Sequence, residues 1–405
     1  MNNVLVKAAT VADNGEEGRL PGDAAHWVRI PVYAYTPPEA GSTISVGGVA
    51  NPGFPPPIQV VATPGPAVFA AHGWGDMPSW EDDKLVDVVK DFGATPEAID
   101  SKDDDGPALQ KAIDAATTSG NPHFGKTVFL PRGHYHVARP LILRSGLKLV
   151  GAGRFISVIQ PLTEWLNAVG AVVQSEDVPV GSLVLSDFAV LGYSRTMFLH
   201  LRTPNMVMRD VATEMVVEAR NRSNKGLNPA EVPYILFSGH AGGKIYNVCT
   251  DHIGGGRGQV ERRASRFNLL QVKENQAPLT FYQLSIEHLG VSPQMLFDQA
   301  RDVTVVGFKY ESPGELLNII GGERIRFFGG SGHYNLENPN DRAIIVVENA
   351  KDILFYSQVR KSMTVMFNRP VKDFTKYWLI NGSQKLSGDV PILLYRDGAA
   401  QKNND

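Results

Sequence analysis

The chain has 405 residues, of which 43% are hydrophobic and 20% are charged, and these proportions are ordinary for a soluble globular protein with a sizeable core. The formal charge of −3 offers no basic surface for nucleic acid or for an anionic membrane. The single cysteine excludes an intrachain disulfide, and no apolar run approaches the ~18 residues that a transmembrane helix needs.

The first residues of the chain lack the basic start and the long apolar stretch of a signal peptide. We therefore expect a cytoplasmic protein, or a secreted or periplasmic one if a leader has been removed ahead of Met1.

Residues 1–80 are rich in proline and glycine and contain one strand-like run, residues 27–35. Such a density of proline argues against helices and against central strands, because proline cannot donate to a ladder of hydrogen bonds. The aromatic and branched side chains of residues 27–35 argue against disorder. We expect a small β-rich or extended arm that packs on the main body.

The pattern changes from residue 84, where a short strand is followed by a predicted helix over residues 106–116. Pro107 lies in its first turn, acids precede it, and Leu109 and Ile113 mark one apolar face. The three consecutive acids at positions 103–105 could be calcium ligands, but capping of the helix accounts for them without a metal.

Beyond the helix, short apolar runs recur between irregular turns. They are apolar throughout rather than alternating, which favours parallel strands buried in the interior of a coil. Three runs share an introductory motif: Ala300-Arg301-Asp302-Val303, Gly322-Glu323-Arg324-Ile325 and Ala350-Lys351-Asp352-Ile353. We predict an all-β fold, a right-handed parallel β-helix over residues 84–395, capped by the helix at 106–116 and followed by a polar tail at 396–405.

Three β-type runs end in an acid at the same register, at Asp251, Glu287 and Glu311. If successive coils stack at the inter-strand spacing of roughly 4.8 Å, these acids form a column on one face. Crowded carboxylates repel one another, and their pKa values are driven apart, as general acid and base catalysis requires. The alternative interpretation is a set of solvated turn acids.

Glu287 lies in the middle of the predicted column, so its pKa should be raised most and it is the predicted proton donor. Asp251, Glu311 and Glu274 are the candidates for the base. The predicted sugar-binding residues are His252, His288, Tyr246, Tyr282, Gln276 and Lys309. The histidines could instead be turn residues without a role, and about half of the aromatics could be core residues.

A zinc site built from His240, His252, His288 and Asp251 has suitable ligand types but no supporting spacing. We therefore expect neither a metal nor another cofactor.

The helix region, residues 88–94 and 104–116, and its continuation at 128–135 resemble the opening of the pectate-lyase-like β-helix superfamily. This resemblance is specific for the fold and says little about chemistry, since lyases, hydrolases, epimerases and phage tailspikes share it.

A narrower resemblance lies in residues 241–246, 272–288 and 310–313, which look like the second β-helix of glycoside hydrolase family 55, the β-1,3-glucanases. The resemblance implies that Glu287 is the general acid of an inverting mechanism. Members of that family bind glucan between two β-helices, whereas this chain has room for one. A homo-oligomer or the N-terminal arm could supply the second wall.

These observations favour a glycoside hydrolase acting on a neutral glycan. A polysaccharide lyase or a glycan-rearranging β-helix enzyme is the main alternative. A lyase needs cations to neutralise a uronate carboxylate, and an acid column would repel that substrate, which favours hydrolysis of a neutral glycan. Cations near the column are Lys244, Arg257, Arg262, Arg263 and Lys309. A third hypothesis is a non-catalytic carbohydrate-binding or tailspike-like protein, which would not need crowded acids.

Overall fold

The structure is a computed structural model that describes the greater part of the chain. The described residues are 2–12, 20–32, 43–46, 49–50, 59–61, 73, 75, 77–78, 84–97, 102–162, 170–192, 196–215, 232–250, 268–286, 293–312, 315–334, 343–362, 377–381, 384–387 and 392–397. Among them, no helix is long and apolar enough to cross a membrane.

The N-terminal region contributes five strands, and the rest of the described chain contributes one helix and the remaining strands. The first five are β1 (Asn2–Ala12), β2 (Leu20–Val32), β3 (Thr43–Val46), β4 (Val49–Ala50) and β5 (Gln59–Val61). They are followed by β6 (Leu85–Asp87), helix α1 (Gly106–Thr117), β7 (Thr127–Leu130), β8 (Gly133–Val137), β9 (Leu141–Leu143), β10 (Lys148–Gly151), β11 (Ser157–Pro161) and β12 (Ala171–Ser175).

The coils of the main body are built from the strands that follow. These are β13 (Leu183–Gly192), β14 (Met197–Leu201), β15 (Met206–Met215), β16 (Ile235–Ser238), β17 (Gly243–Tyr246), β18 (Cys249–Thr250), β19 (Leu270–Lys273), β20 (Leu279–Ile286), β21 (Met295–Asp298), β22 (Arg301–Ser312), β23 (Leu317–Ile320), β24 (Glu323–Tyr334), β25 (Ala343–Glu348) and β26 (Lys351–Ser362). The last are β27 (Tyr377–Asn381), β28 (Gln384–Ser387) and β29 (Ile392–Asp397).

The described strands form three sheets. Sheet 1 is the antiparallel set β1-β2-β5, sheet 2 has 16 strands, and sheet 3 has 10 strands. From β12 to β27 the chain visits sheets 3 and 2 in turn, and these strands pair in parallel with the equivalent strands of neighbouring coils. This is the right-handed parallel β-helix that the apolar runs predicted. At the end of the chain, β29 pairs antiparallel with β26 and β28 pairs antiparallel with β27.

Inward side chains stack from coil to coil and form the core. Phe327 lies between Phe297 and Phe355, with ring centroids 5.8 and 5.1 Å apart, and all three rings are fully buried. Each strand needs a large apolar residue at the same inward position, which explains why the runs are apolar and of similar length.

The long strands of sheet 2 bend in the middle. The bend residue is left-handed in successive coils: Asp187, Asp210, Asn247, Gln283, Gly307 and Gly329 have φ between 51° and 73°. Asn, Asp and Gly tolerate this conformation best, and the bend lets one strand line two sides of the coil. Each coil therefore has a sheet 3 side and two sheet 2 sides.

Helix α1 covers the first coils, and Leu109, Ala112 and Ile113 point into the core. The predicted helix is confirmed, but the role expected of its acids is partly wrong. The Asp105 side chain does not cap the helix; it accepts the backbone N–H groups of Thr95 and His136 at 2.7 and 3.0 Å. These two bonds tie the start of the helix to β8 and to the segment before the helix, rather than stabilising the helix end. Burial raises the pKa of the Asp105 carboxyl.

The repeated motif noted in the sequence begins strands β22, β24 and β26. Asp302, Arg324 and Asp352 occupy one row in neighbouring coils. Arg324 holds Asp302 through two bonds of 2.6 and 2.8 Å, and Arg326 reaches Asp352 at 2.8 Å. The motif is thus a ladder of alternating charge that joins three coils.

The N-terminal region corrects one expectation. Strand β2 is the middle strand of sheet 1, although it contains Pro21 and Pro31. Only residues 27–29 of β2 pair on the β5 side, and neither proline falls among them, so no ladder bond is lost there. Strand β3 pairs with β29, so part of this region joins the far end of sheet 2.

Candidate functional site

The three runs predicted to end in acids are neighbouring strands of sheet 2, and their register is the one that the sequence alignment gave. Ile245 pairs with Phe281 and Phe281 with Val305, while Thr250 pairs with Ile286 and Ile286 with Tyr310. Asp251, Glu287, His252 and His288 follow these positions and lie outside the described residues. Glu311 belongs to β22. The catalytic role of the acids stays a prediction.

The register adds one acid that sequence reasoning missed. Glu214 pairs with Leu191 of the preceding coil, and its neighbour Thr213 pairs with Thr250. Glu214 therefore occupies the row to which Asp251 would belong, and its side chain is half-buried. Its own run, residues 211–214, also ends in an acid after a β-type stretch, so the same alignment extended one coil back would have found it.

Lys309 is an exposed residue of β22, two positions before Glu311 in the sequence. The pairing places Lys309 level with Ser285 and with Ser331. Its role in sugar binding stays a prediction.

Glu274 and Gln276 lie elsewhere. Both are exposed in the turn between β19 and β20, which leads from sheet 3 into sheet 2, whereas the acid row is predicted at the other ends of the sheet 2 strands. Glu274 has a φ of 48°, and its N–H donates to the Asp298 carbonyl at 2.9 Å. It stands in the left-handed position of a stacked turn, as Gln299 does in the next coil. Glu274 thus belongs to the turn before β20, and its role as a base stays a prediction.

Tyr246 and Tyr282 form a stacked pair, with ring centroids 4.6 Å apart and planes 8° apart. Their strand neighbours Ile245 and Phe281 are fully buried, so alternation places both tyrosines on the outer face of sheet 2. Burial raises the pKa of Tyr246 to about 12, with a smaller contribution from Tyr282, and both phenols stay neutral at pH 7. The bend at Asn247 and Gln283 separates them from the acid row.

A second group of polar side chains lies on the outer face of sheet 3 and in the turn after it. His200 Nε2 lies 2.8 Å from Ser238 Oγ in the adjoining coil. Burial, together with the charge of Arg202, lowers the pKa of His200 to about 4, so the imidazole is neutral at pH 7. Arg202 itself donates from Nε and Nη2 to the Ser175 carbonyl, at 3.2 and 2.9 Å.

Asp177 and His240 complete this group. Asp177 Oδ1 accepts from the His240 backbone N–H at 3.1 Å and lies 2.8 Å from His240 Nδ1. These bonds and the charges of His240 and Arg202 outweigh burial and lower the pKa of Asp177. Gly239 permits the approach, because a Cβ there would lie 2.7 Å from both carboxylate oxygens. Neither His200 nor Asp177 was singled out in the sequence, where no local spacing joins them.

Metal binding was considered for His240 together with residues outside the described ranges. Within the part of the chain that the structure describes, no three His, Cys, Asp or Glu side chains are grouped so that they could hold a metal ion.

The comparisons with known proteins agree with the parallel β-helix fold. Residues 86–222 match the family model described as rhamnogalacturonase A/epimerase, pectate lyase-like. The right-handed parallel β-helix that the sequence predicted therefore includes a segment, residues 86–222, with a pectate-lyase-like match. The narrower resemblance to glycoside hydrolase family 55 stays a prediction.

Curated relatives match shorter segments. Alginate lyase 7 of Azotobacter vinelandii is 39% identical over 94 residues, which are 22% of this chain and 10% of that protein. Mannuronan C5-epimerase AlgE1 of the same organism is 32% identical over 159 residues, 35% of this chain and 11% of that protein. The matched segments thus span about a tenth of these relatives.

Solved structures with this fold include the A-module of the A. vinelandii mannuronan C-5 epimerase AlgE4. It is 16% identical, with a TM-score of 0.34 over 68% of this chain and 86% of that one. A bacteriophage CBA120 tailspike domain covers 89% of this chain and 50% of its own, with 13% identity and a TM-score of 0.40.

Proposed function

We propose that the protein is a carbohydrate-active enzyme that acts on a polysaccharide. The observation that carries this proposal is the pectate-lyase-like match over residues 86–222, together with curated relatives whose names describe a lyase and epimerases of polysaccharides. The polar rows along the β-helix support it, because a chain of sugars has a repeating structure that extended rows of side chains can follow.

The first candidate reaction is glycoside hydrolysis of a neutral glycan such as a β-1,3-glucan, with Glu287 as the proton donor. Its carboxyl group would protonate the leaving glycosidic oxygen, while Asp251 or Glu311 would take a proton from the attacking water. Inverting enzymes hold the two carboxyl groups about 6.5–9.5 Å apart. Coils stack roughly 4.8 Å apart, so acids one or two coils apart could reach this separation with a modest tilt.

The register of β17, β18, β20 and β22 supports this candidate, because it aligns the residues just before Asp251, Glu287 and Glu311. Glu214 would add a fourth carboxyl group to the row. Like charges at this spacing raise the pKa of at least one member, and a proton donor needs such a raised pKa.

The second candidate is proton abstraction from a uronate, followed by elimination or epimerisation. The observation that favours it is the neutral His200 beside Arg202 on sheet 3. A neutral imidazole can take the proton from the carbon next to the carboxylate, and a cation stabilises the charge that moves into that carboxylate. Expulsion of the 4-linked oxygen then gives a lyase product, and return of a proton to the opposite face gives the epimer.

A second wall for the substrate would come from the N-terminal arm or from another copy of the chain. The Lys244 Nζ atom donates to the Gly73 carbonyl at 3.1 Å, which supports the arm. Lys244 lies in β17, one of the strands of the predicted acid row.

The test is a panel of neutral glucans and polyuronates assayed in parallel for new reducing ends, for absorbance at 235 nm and for proton NMR changes. Reducing ends without absorbance indicate hydrolysis, absorbance indicates a lyase, and altered anomeric signals at constant chain length indicate an epimerase. Binding without any of these products would support the non-catalytic hypothesis and contradict the proposed enzyme.

The variants Glu287→Gln and His200→Gln separate the two candidates. Hydrolysis at the acid row requires loss of activity in the first and retention in the second, and uronate chemistry at sheet 3 requires the reverse. Equal loss in both, with the fold retained, would contradict the assignment of either residue alone.

A further inference from the structure

One bend of sheet 2 differs from the others. Between β10 and β11 the single bend residue is replaced by a loop, residues 152–156. Its tip carries Phe155 and Ile156, which are 43% and 48% exposed. Large apolar side chains side by side at a loop tip have no role in the core of the β-helix, so the loop presents them to something outside it.

The loop is held firmly in place. The Ile156 N–H donates to the Gly153 carbonyl at 2.9 Å, and the Gly133 N–H donates to the Ile156 carbonyl at 3.0 Å. Ser157, fully buried, donates its hydroxyl to the Leu130 carbonyl at 2.7 Å and accepts the Ala152 N–H at 2.9 Å. The apolar tip is therefore fixed before any ligand arrives, which reduces the entropy lost on binding.

Phe155 adopts a φ of 61°. An aromatic residue enters this left-handed region only at a cost in free energy, because its Cβ crowds the backbone. The hydrogen bonds of the loop offset that cost, and the result is a ring that points away from the core. Strain that places a side chain in solvent is a feature found at binding sites.

A cation accompanies the ring. The guanidinium carbon of Arg154 lies 5.5 Å from the centroid of Phe155. Among the residues that the structure describes, Arg154 forms no ion pair, and its Nε has no hydrogen-bond partner. The loop thus combines an exposed aromatic face with a positive charge that no carboxylate of the described chain neutralises.

The loop also begins a row of hydrogen-bonding side chains. A Cβ on Gly151, at the base of the loop, would lie 2.2 Å from the Asp187 carbonyl oxygen, so the two bends touch. Asp187 pairs with Arg209 at 2.6 Å, and Asp210 accepts from Asn247 at 2.5 Å in the next coil. These groups continue along the bend of sheet 2, on a different sheet from the group of His200 and Asp177.

We propose that this loop is a non-catalytic subsite for an acidic polysaccharide. A sugar ring stacks its C–H face on Phe155, and its carboxylate pairs with Arg154. The following sugars then lie along the bend, where Asn247 bonds a hydroxyl group. Arg209, which faces both Asp187 and Asp210, offsets the charge of those carboxylates. The proposal rests on the proposed action on polysaccharides and favours acidic substrates over neutral ones.

The loop fits a sugar chain better than a protein partner. A protein interface needs a contiguous apolar core of considerable size, whereas here two apolar side chains are bordered by Arg154 and a charged row. A pyranose has one apolar face and a rim of hydroxyl groups, and a uronate adds one negative charge. That combination matches the ring, the polar row and the unpaired cation.

Affinity electrophoresis in gels that contain polymannuronate tests the subsite independently of catalysis. Phe155→Ala is expected to weaken retardation about 3- to 10-fold, the range typical of one lost aromatic contact. Arg154→Gln is expected to weaken retardation by polymannuronate and to leave retardation by a neutral β-1,3-glucan unchanged. Phe124→Ala is the matched control, because Phe124 is also exposed, at 56%, but lies in the loop after helix α1.

Unchanged retardation of Phe155→Ala, or an equal loss in Phe124→Ala, would overturn the subsite while leaving the proposed enzyme intact. A wild-type protein that neither binds nor modifies any polysaccharide would overturn the proposed function and the subsite with it. Thermal unfolding of each variant checks the fold, and Phe155→Gly, which relieves the backbone strain while removing the ring, must reproduce the loss of binding.

Discussion

The turn that enters sheet 2 and the ends of the sheet 2 strands carry different charge patterns in the sequence. In the turn, Asp302, Arg324 and Asp352 alternate in sign; Arg324 pairs with Asp302, and Asp352 pairs with Arg326. At the strand ends, the register supports the predicted row of acids, Glu214, Asp251, Glu287 and Glu311, which His333 and Lys361 follow in the next coils. A stacking distance that stabilises the first pattern would oppose the predicted run of like charges.

If the predicted row forms, we expect it to serve a different purpose from the paired charges of the turn. Alternating charges strengthen the contact between coils, whereas a row of like charges costs stability and is retained only for another reason. Chemistry that needs a protonated carboxyl group at neutral pH is such a reason.

The largest effect is expected when the acid row loses its predicted proton donor. Glu287→Gln keeps the size of the side chain but cannot deliver a proton, so kcat on an unactivated glycan should fall about 10²–10⁴-fold. An aryl glycoside with a good leaving group should be affected much less. Glu348→Gln, at an exposed acid of β25, is the control and should keep wild-type activity. Near-native kcat for Glu287→Gln would show that the row is a scaffold.

The next largest effect is expected in the turn into sheet 2, because neighbouring coils approach each other closely there. Gly322 has a φ of 82°, and a Cβ there would lie 2.1 Å from the Ala300 carbonyl oxygen. Gly322→Ala should therefore lower the free energy of unfolding by about 3 kcal/mol or more. Gly329, with a φ of 66° and open space around it, is the control, and Gly329→Ala should cost about 1 kcal/mol. Equal losses in urea unfolding would refute the role of close packing.

The charge ladder should contribute less than the packing. Arg324→Met removes the partner of Asp302 and of Glu323 and should lower the free energy of unfolding by about 1–2 kcal/mol, since the groups are partly solvated. Lys90→Met removes a pair in which the lysine is 82% exposed, and it should cost less than about 0.5 kcal/mol. If both variants unfold at the same urea concentration, the ladder contributes no more to the free energy of unfolding than the exposed Lys90 pair does.

The last effect concerns His200, and it appears only at low pH. Its pKa is lowered to about 4 in the folded state by burial and by Arg202, with Asp177 opposing the shift. Between its ordinary pKa of about 6.5 and about pH 4, His200 is protonated in the unfolded chain but neutral in the folded chain. The free energy of unfolding therefore falls as the pH is lowered through this range. His200→Gln should reduce this fall by about 1–2 kcal/mol after allowance for partial exposure. Identical profiles for both proteins would contradict the shifted pKa.

Much of the fold was predictable because every coil repeats the same pattern of inward-facing positions. Inward positions such as Phe281 and Val305 must be apolar in every coil, and the alignment of those positions gave the register that the structure has. The strands before the predicted acids were therefore found from the sequence. Glu214 was missed only because the alignment was not carried one coil further back.

Other features of the site could not be predicted in the same way. Glu274 looked like a candidate because it is an acid near the others, yet its left-handed backbone and exposed position belong to a different turn. His200 and Ser238 meet across 38 residues, and Asp177 and His240 across 63.

The amino-acid sequence alone determined the parallel coils, their register and the capping helix, because stacking requires similar residues at similar positions. Tertiary structure decided which turn residues meet, that β3 joins β29, and that Phe155 stands exposed on a rigid loop. The connections between strands vary in length and carry no periodicity, so only the packed coils bring their side chains together.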